Sequence, residues 1–364
     1  MKQSAEVRAT LKADTGLADL PQGSRVLLIR LRSMGDTVLM TPALRMLHDW
    51  RPDLRLTVLL EAPWHEILEG NPALESLVIL KGKLRTAWQV WRLRYAAVIN
   101  LHGGPTSAML TRVSRAKLTA GYSFFRYGSV YSHHVPIAQE ILRQKGPVHT
   151  AEHVASCFFW LGVPYAEIPP AEVFASKTIQ ERVSDKLSAQ GLGADEPYAV
   201  IHPAAAYESK QWKSKGFAEA GNYLEQSYGL RPVYIGARED AQVMEDVERH
   251  SSAPILKADG WAIRELVALI AGARIFIGND SGPAHIAAAA GKPVLVIFGS
   301  SDSAVWGPWK AVRSAVVQNY FDCNPCPGDR CAVYDEPRCI LSITSEQVKV
   351  YLDALLRPET SPQK

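Results

Sequence analysis

Along most of this chain, short runs of aliphatic and β-branched residues alternate with segments whose apolar positions recur every three to four residues. Residues 25–31 (RVLLIRL) open the pattern as a nearly unbroken apolar run, which predicts a short strand buried on both faces. A tight loop follows, and apolar periodicity over residues 37–50 predicts a helix. Further strands are expected at 56–60, 77–80, 97–101 and 117–120, with helices at 84–94 and 106–115 between them. Pro169 and Pro170 break the alternation within residues 166–175, which places an inter-domain linker there. The pattern then restarts, with strands expected at 198–202, 232–235, 274–277 and 293–298 and helices at 217–228, 241–250, 262–271 and 283–290. A last helix is expected at 345–356, after a Cys-rich loop.

Strand–helix alternation of this kind predicts an α/β protein with parallel sheets covered by helices. A chain of 364 residues suits two domains of about 150 residues each. The expected organisation is a polar leader at 1–22, a Rossmann-like domain at 23–170, and a second Rossmann-like domain at 171–345 that includes the Cys-rich loop 322–340. A helix and tail occupy 346–364. Two doubly wound domains facing a cleft are the expected architecture. In such sheets ligands sit beyond the carboxyl ends of the strands, so the loops that follow strands are where chemistry is sought.

Composition narrows the partners. No run of eighteen apolar residues occurs, which excludes a membrane-spanning helix. The first twenty residues mix both charges and lack the apolar core of a signal peptide, so a cytoplasmic location is expected. The formal net charge is only +3, but residues 81–139 hold nine Lys or Arg and no Asp or Glu. That asymmetry points to an acidic partner: a phosphorylated lipid, an acidic saccharide or an anionic membrane surface. The alternative is a solvated basic face. No helix-turn-helix, zinc-finger or RNP signature accompanies the patch, and nucleic acid is not expected.

Three loops carry candidate chemistry. The first is Arg32-Ser33-Met34-Gly35-Asp36, where Gly35 allows a sharp turn and Asp36 sits at the start of a helix. Asp36 is either a helix N-cap or a general base that takes the proton of an attacking hydroxyl. The G-x-G-x-x-G dinucleotide fingerprint is absent. The second is Asn279-Asp280-Ser281-Gly282-Pro283-Ala284-His285, before the small-residue helix AHIAAAAG. A helix start of this composition offers free N–H groups and a positive dipole end to a phosphate, with His285 as a further donor. An ordinary capped helix with a buried His is the alternative. The third is His202-Pro203-Ala204-Ala205-Ala206, followed by Lys210, whose ammonium can reach a diphosphate or simply face solvent.

Together these loops resemble glycosyltransferase family 9, the bacterial lipopolysaccharide heptosyltransferases. The stretches that carry the resemblance are RVLLIRLRSMGDTVLMTPALRML, IHPAAAYESKQWKSKGFAEA and FIGNDSGPAHIAAAAGKPVLVIFGSSD. The resemblance implies a GT-B architecture, with an acceptor-side first domain and a nucleotide-sugar-binding second domain. It further implies an inverting transfer of heptose from ADP-heptose to an inner-core saccharide, with Asp36 as base. Lys210, Asp280, Ser281, Gly282 and His285 would then hold the donor diphosphate, and Glu239 would contact the ribose. Gly35, His102, Arg112 and Arg115 are expected on the acceptor side, although His102-Gly103-Gly104 reads equally as a tight turn. Ala204, Ala205 and Ala206 stand where many family members carry Gly, Ser or Thr, which leaves phosphate recognition there to backbone N–H groups. No D-x-D pair is present to hold a catalytic metal, so no cofactor is expected to be required and the ADP-sugar is a substrate. The expected partners are the nucleotide-sugar donor and an acidic glycolipid, with peripheral contact at the inner membrane surface. Alternatives are a transferase using another nucleotide sugar, a sugar-nucleotide epimerase, or a nucleotide-sugar-binding module without turnover. A mere binder has no use for a carboxylate at position 36.

Cys323, Cys326, Cys331 and Cys339 are spaced C-x₂-C-x₄-C-x₇-C, a pattern compatible with structural zinc, with free or redox-labile thiols, or with disulfides. Cys157, in the apolar run SCFFWLG, reads as a core residue.

Overall fold

A computed structural model describes residues 16–326 and 329–357. Residues 1–15 of the leader and 358–364 of the tail lie outside the described residues. The chain divides into two compact units between Ala171 and Glu172. Among the described residues no helix is long and apolar enough to cross a membrane.

The first unit is built on a six-stranded sheet, all of whose pairings are parallel. Its strands are β1 (Arg25–Ile29), β2 (Arg55–Leu60), β3 (Ser76–Ile79), β4 (Ala97–Asn100), β5 (Leu118–Tyr122) and β6 (His133–Val135), in spatial order β3-β2-β1-β4-β5-β6. β1 is central because it is apolar on both faces: Val26, Leu27, Leu28 and Ile29 are all fully buried. It pairs with β2 on one side and β4 on the other, with Val26 opposite both Leu56 and Ala97.

The second unit repeats the plan with β7 (Tyr198–His202), β8 (Arg231–Gly236), β9 (Leu256–Asp259), β10 (Ile275–Asn279), β11 (Val294–Phe298) and β12 (Ser314–Gln318). Its order is β12-β11-β10-β7-β8-β9, again wholly parallel. In each unit the strand order reverses beside the first strand, between β1 and β4 and between β7 and β10. An open α/β sheet binds ligands at such a reversal, because the crossovers on either side diverge and leave a crevice at the carboxyl edge.

Several elements differ from expectation. The helix expected at 37–50 is two helices, Met34–Leu39 and Thr41–Trp50, with Pro42 in the first turn of the second. A proline has no N–H for the preceding turn and its ring opposes that turn's carbonyl, so the first helix stops and a new one starts. β6, β9 and β12, and the helices Thr150–Trp160 and Lys177–Ala189, are additional to the sequence expectation.

Candidate active site

In the first unit the chain leaves β1 at Ile29, passes through Arg30–Ser33 and enters the helix Met34–Leu39. Ser33 is the N-cap of this helix, and Asp36 stands three residues further on. Asp36 Oδ2 accepts hydrogen bonds from Ser33 N (3.3 Å) and Ser33 Oγ (3.1 Å). Asp36 is therefore not the N-cap but the residue that reaches back to it, as in a capping box. Gly35 lies within the helix's first turn and is buried, rather than forming the sharp turn before it.

The other carboxylate oxygen of Asp36 forms an ion pair with the Arg30 guanidinium. Arg30 also donates through Nη1 to Leu101 O (2.5 Å), just beyond β4. One arginine thus ties the loop after β1 to the loop after β4, across the strand-order reversal. Burial pushes the Asp36 carboxyl upward, but the charge and hydrogen bond of Arg30, together with the Ser33 hydrogen bonds, outweigh it and hold Asp36 below its ordinary value. It is ionised at neutral pH.

The loop after β4 is shaped by Asn100, which is fully buried. Asn100 Oδ1 accepts from the backbone N–H groups of His102 (3.0 Å) and Gly103 (3.1 Å), while Nδ2 donates to Tyr131 Oη (2.9 Å). Gly103 has φ +74°, and a Cβ there would meet the Phe125 ring at 2.5 Å. His102-Gly103-Gly104 is thus a tight turn, and it also brings His102 toward the charges around Asp36. Burial lowers the His102 pKa first, followed by the nearby charges of Arg30 and Arg32, with Asp36 opposing them. His153, stacked on Tyr122 with ring centroids 4.4 Å apart, senses the same charges.

Arg112 and Arg115 do not join this group. The helix Pro105–Ser114 begins at the loop after β4 and runs back along the sheet, with Arg112 in its last turn and Arg115 as its C-cap. A ten-residue helix is about 15 Å long, so these two arginines lie toward the opposite edge of the sheet from Asp36. Of the residues expected on the acceptor side, these two therefore stand apart from the Asp36 group.

In the second unit the loops after β7 and β10 are tied together by Asn279, which is fully buried. Its Nδ2 donates to Pro203 O (3.0 Å), and its Oδ1 accepts from Trp212 N (3.1 Å). Between these anchors, Lys210 Nζ lies 2.7 Å from Asp280 Oδ2, with side-chain exposures of 24% and 5%. Lys210 is therefore not a free surface lysine; it is held at the carboxyl edge of β10 by a buried carboxylate. Ser281 occupies the N-cap position of the helix Gly282–Ala289 but makes no side-chain cap hydrogen bond. Its hydroxyl instead meets His202 Nδ1 at 3.0 Å and donates to Asn279 O at 3.2 Å. Gly282 is partly exposed at the helix start, whereas His285 is buried in the first turn. Glu239 is exposed, in the short turn after β8 at the same edge of the sheet.

Arg30 and His153 are not singled out by sequence reasoning, and His202 and Asn279 head two of the candidate loops without a role of their own. Their roles depend on which strand ends are neighbours, and strand order is not written in any local motif.

The four clustered cysteines do not assemble a metal centre among the described residues: no group of three or more His, Cys, Asp or Glu is placed to hold an ion. All five cysteines are free thiols. Cys339 is buried, which raises its thiol pKa, with Cys326 and Cys323 near enough to add to the effect. The loop lies against the loops after β7 and β11: Cys326 N donates to Ser300 O (2.9 Å) and Ser209 N to Asp329 O (3.3 Å). Cys157 is a core residue at 1% exposure.

Burial holds both His153 and His202 near a pKa of about 4. In the unfolded chain each would titrate near 6.5. Between these values the unfolded state binds protons that the folded state does not, so stability is complete above pH ~6.5 and falls as pH drops toward ~4. Each histidine contributes at most about 1.4 kcal/mol per pH unit in that window. Thermal unfolding from pH 7.5 to 4.5 is expected to show this decline, and His202→Gln and His153→Gln to flatten it. Unchanged slopes in both variants would refute the assignment.

The family model of glycosyltransferase family 9 (heptosyltransferase) matches residues 84–334. Lipopolysaccharide heptosyltransferase 3 of Escherichia coli is 28% identical over 77% of this chain and 84% of its own length. Among solved structures, a family 9 glycosyl transferase from Veillonella parvula superposes with a TM-score of 0.79 at 20% identity, covering 95% of this chain and 99% of that one. The E. coli ADP-heptose lipopolysaccharide heptosyltransferase II superposes with a TM-score of 0.77 at 18% identity, covering 91% and 98%. Two doubly wound units with the strand orders described above agree with these neighbours and with the GT-B architecture. The family model spans more than half of the chain, and the chain belongs to glycosyltransferase family 9, the heptosyltransferase family.

Proposed function

We propose that this glycosyltransferase moves a heptose from ADP-heptose to the inner-core saccharide of a lipopolysaccharide, inverting the anomeric carbon, with Asp36 as base and Lys210 on the donor diphosphate. The observation that carries the reading is the placement of charge at both strand-order reversals. An ionised carboxylate follows β1 in the first unit, and an ammonium held by Asp280 stands beside a helix start in the second.

The acceptor oxygen forms a bond to the anomeric carbon while the bond from that carbon to the diphosphate oxygen breaks, through an oxocarbenium-like transition state. Asp36 takes the proton from the attacking hydroxyl. The electron pair of the broken bond leaves with ADP, and the negative charge that grows there meets Lys210 and the N–H groups at Gly282. Lys210 exchanges Asp280 for the diphosphate as the donor binds. In this reading Glu239, exposed at the same edge, meets the nucleotide ribose. Ser281 and His285 help set the helix start, Ser281 through His202 and His285 from the buried face. Gly35 and His102 line the acceptor side next to Asp36. No metal is required by this scheme. The enzyme works at the cytoplasmic face of the inner membrane, where its acidic, lipid-borne acceptor is anchored.

The test is thermal unfolding of the protein with ADP, UDP or GDP in excess EDTA. A ligand at about 100 times its dissociation constant adds roughly 2.7 kcal/mol of apparent stability. A shift with ADP alone is expected. A preference for UDP or GDP would replace the donor, and a shift that vanishes in EDTA and returns with Mg²⁺ would remove metal independence.

A further inference from the structure

The first unit carries an exposed helix that the transfer chemistry does not use. The helix Lys83–Leu93 buries Thr86 and Val90, four residues apart, and packs against the helix Pro105–Ser114. Its opposite face holds Leu84, Trp88 and Trp91, at 87%, 57% and 46% exposure. The spacing of four and then three residues sets them in a single stripe. Lys83 borders the stripe on one side and Arg85 and Arg92 on the other, and Arg94 is the helix C-cap; all four are exposed. None of the four cations forms an ion pair among the described residues, and the Arg92 guanidinium lies 5.2 Å from the Trp88 ring centroid.

Single exposed apolar residues are ordinary, but a stripe of one leucine and two tryptophans calls for an occupant. Charge identifies it. A second copy seated symmetrically on the same stripe would bring like-charged borders together, which is unfavourable. A bilayer rich in anionic lipid offers an apolar layer for the stripe and headgroup phosphates for both borders. Tryptophan also favours the membrane–water boundary, where its ring is buried and its N–H stays wet.

We propose that the helix Lys83–Leu93 is a membrane-docking element, lying flat in the interface of an anionic bilayer with Leu84, Trp88 and Trp91 inserted and Lys83, Arg85, Arg92 and Arg94 on the headgroups. The proposal deepens the reading above, in which the acceptor is lipid-borne, but its test involves neither nucleotide nor sugar.

The experiment is co-sedimentation of the full-length protein with phosphatidylcholine vesicles, with and without about one-third phosphatidylglycerol. Anionic vesicles are expected to bind at least about tenfold more tightly than neutral ones, and binding is expected to weaken as salt shortens the screening length. On binding, tryptophan emission shifts to shorter wavelength, and lipids brominated in their acyl chains quench it. The triple variant Leu84→Ser/Trp88→Ser/Trp91→Ser loses at least about tenfold in partitioning. The charge variant Lys83→Gln/Arg85→Gln/Arg92→Gln loses about a hundredfold. Circular dichroism shows whether each variant is folded, and the quenching measurement on the parent protein stands apart from both. Equal binding to the two vesicle types, parental partitioning in both variants, or lipid-free self-association abolished by the triple serine variant would each overturn the proposal. A failed vesicle experiment leaves the transferase reading standing, and a missing ADP shift leaves the docking result standing.

Discussion

Replacing Asp36 by Asn lowers kcat by roughly 10²–10⁴-fold at saturating donor and acceptor, the range general-base assistance provides, while ADP still stabilises the protein. The substitution isolates the proton-accepting role because an amide oxygen can still accept the backbone hydrogen bond of Ser33 N that closes the helix start. What is lost is the negative charge opposite Arg30. That loss carries a structural cost, since the Arg30 side chain is only 18% exposed, so the melting temperature must be recorded beside the rate. A rate loss confined to the unfolded fraction would assign Asp36 to helix capping alone. Full parental turnover in a folded Asp36→Asn protein would refute the role of base outright.

The same pair makes the pH dependence informative. Arg30 and Ser33 overcome the effect of burial and keep Asp36 ionised well into acid, so the acidic limb of the parent rate profile falls below the ordinary carboxylate range. Ionisation that easy also means weak basicity, and a base gains strength if Arg30 turns toward another anion. Arg30→Gln removes the largest lowering influence and leaves burial in place. Its expected result is an acidic limb displaced upward. A purely structural Asp36 would leave the limb where it was.

The sequence was legible where burial is complete and silent where it is partial. β1, β4, β7, β10 and β11 are apolar on both faces, and the runs that form them stand out at once. β6 (HHV), β9 (LKAD) and β12 (SAVVQ) are edge strands with one paired side and partly exposed residues, so their composition does not separate them from loops. The helix Thr150–Trp160 escaped for the opposite reason: eight of its eleven residues are buried, which erases the two-sided periodicity that marks a surface helix. At the site, the M-G-D and D-S-G-P loops were found because their residue types are unusual at strand ends. The turn at His102-Gly103-Gly104 could not be separated from a binding loop, because its geometry is set by Asn100 and Phe125, and Phe125 is distant in sequence. Arg112 and Arg115 looked like acceptor residues on charge alone, and the direction of their helix carries them to the other edge of the sheet.

Lys210 poses the question of whether a residue is held for structure or for ligand, and a cycle of three variants resolves it. Lys210→Met leaves Asp280, 5% exposed, without its cation. An unpaired buried carboxylate is expected to cost about 2–3 kcal/mol of stability, below the fully buried case because Lys210 is itself partly exposed. Turnover is expected to fall by about 10²–10³-fold, the loss typical of removing one charge-stabilising donor from a transition state. Asp280→Asn frees Lys210, and that protein keeps most of its turnover because the ammonium remains near the helix start. The double variant Lys210→Met/Asp280→Asn separates the two roles: the buried charge is gone, so stability returns, while the donor is still missing, so turnover does not. Recovery of turnover together with stability in the double variant would reduce Lys210 to a counter-ion for Asp280. The diphosphate would then be left to the backbone N–H groups of the helix Gly282–Ala289, whose N-cap hydroxyl is already committed to His202.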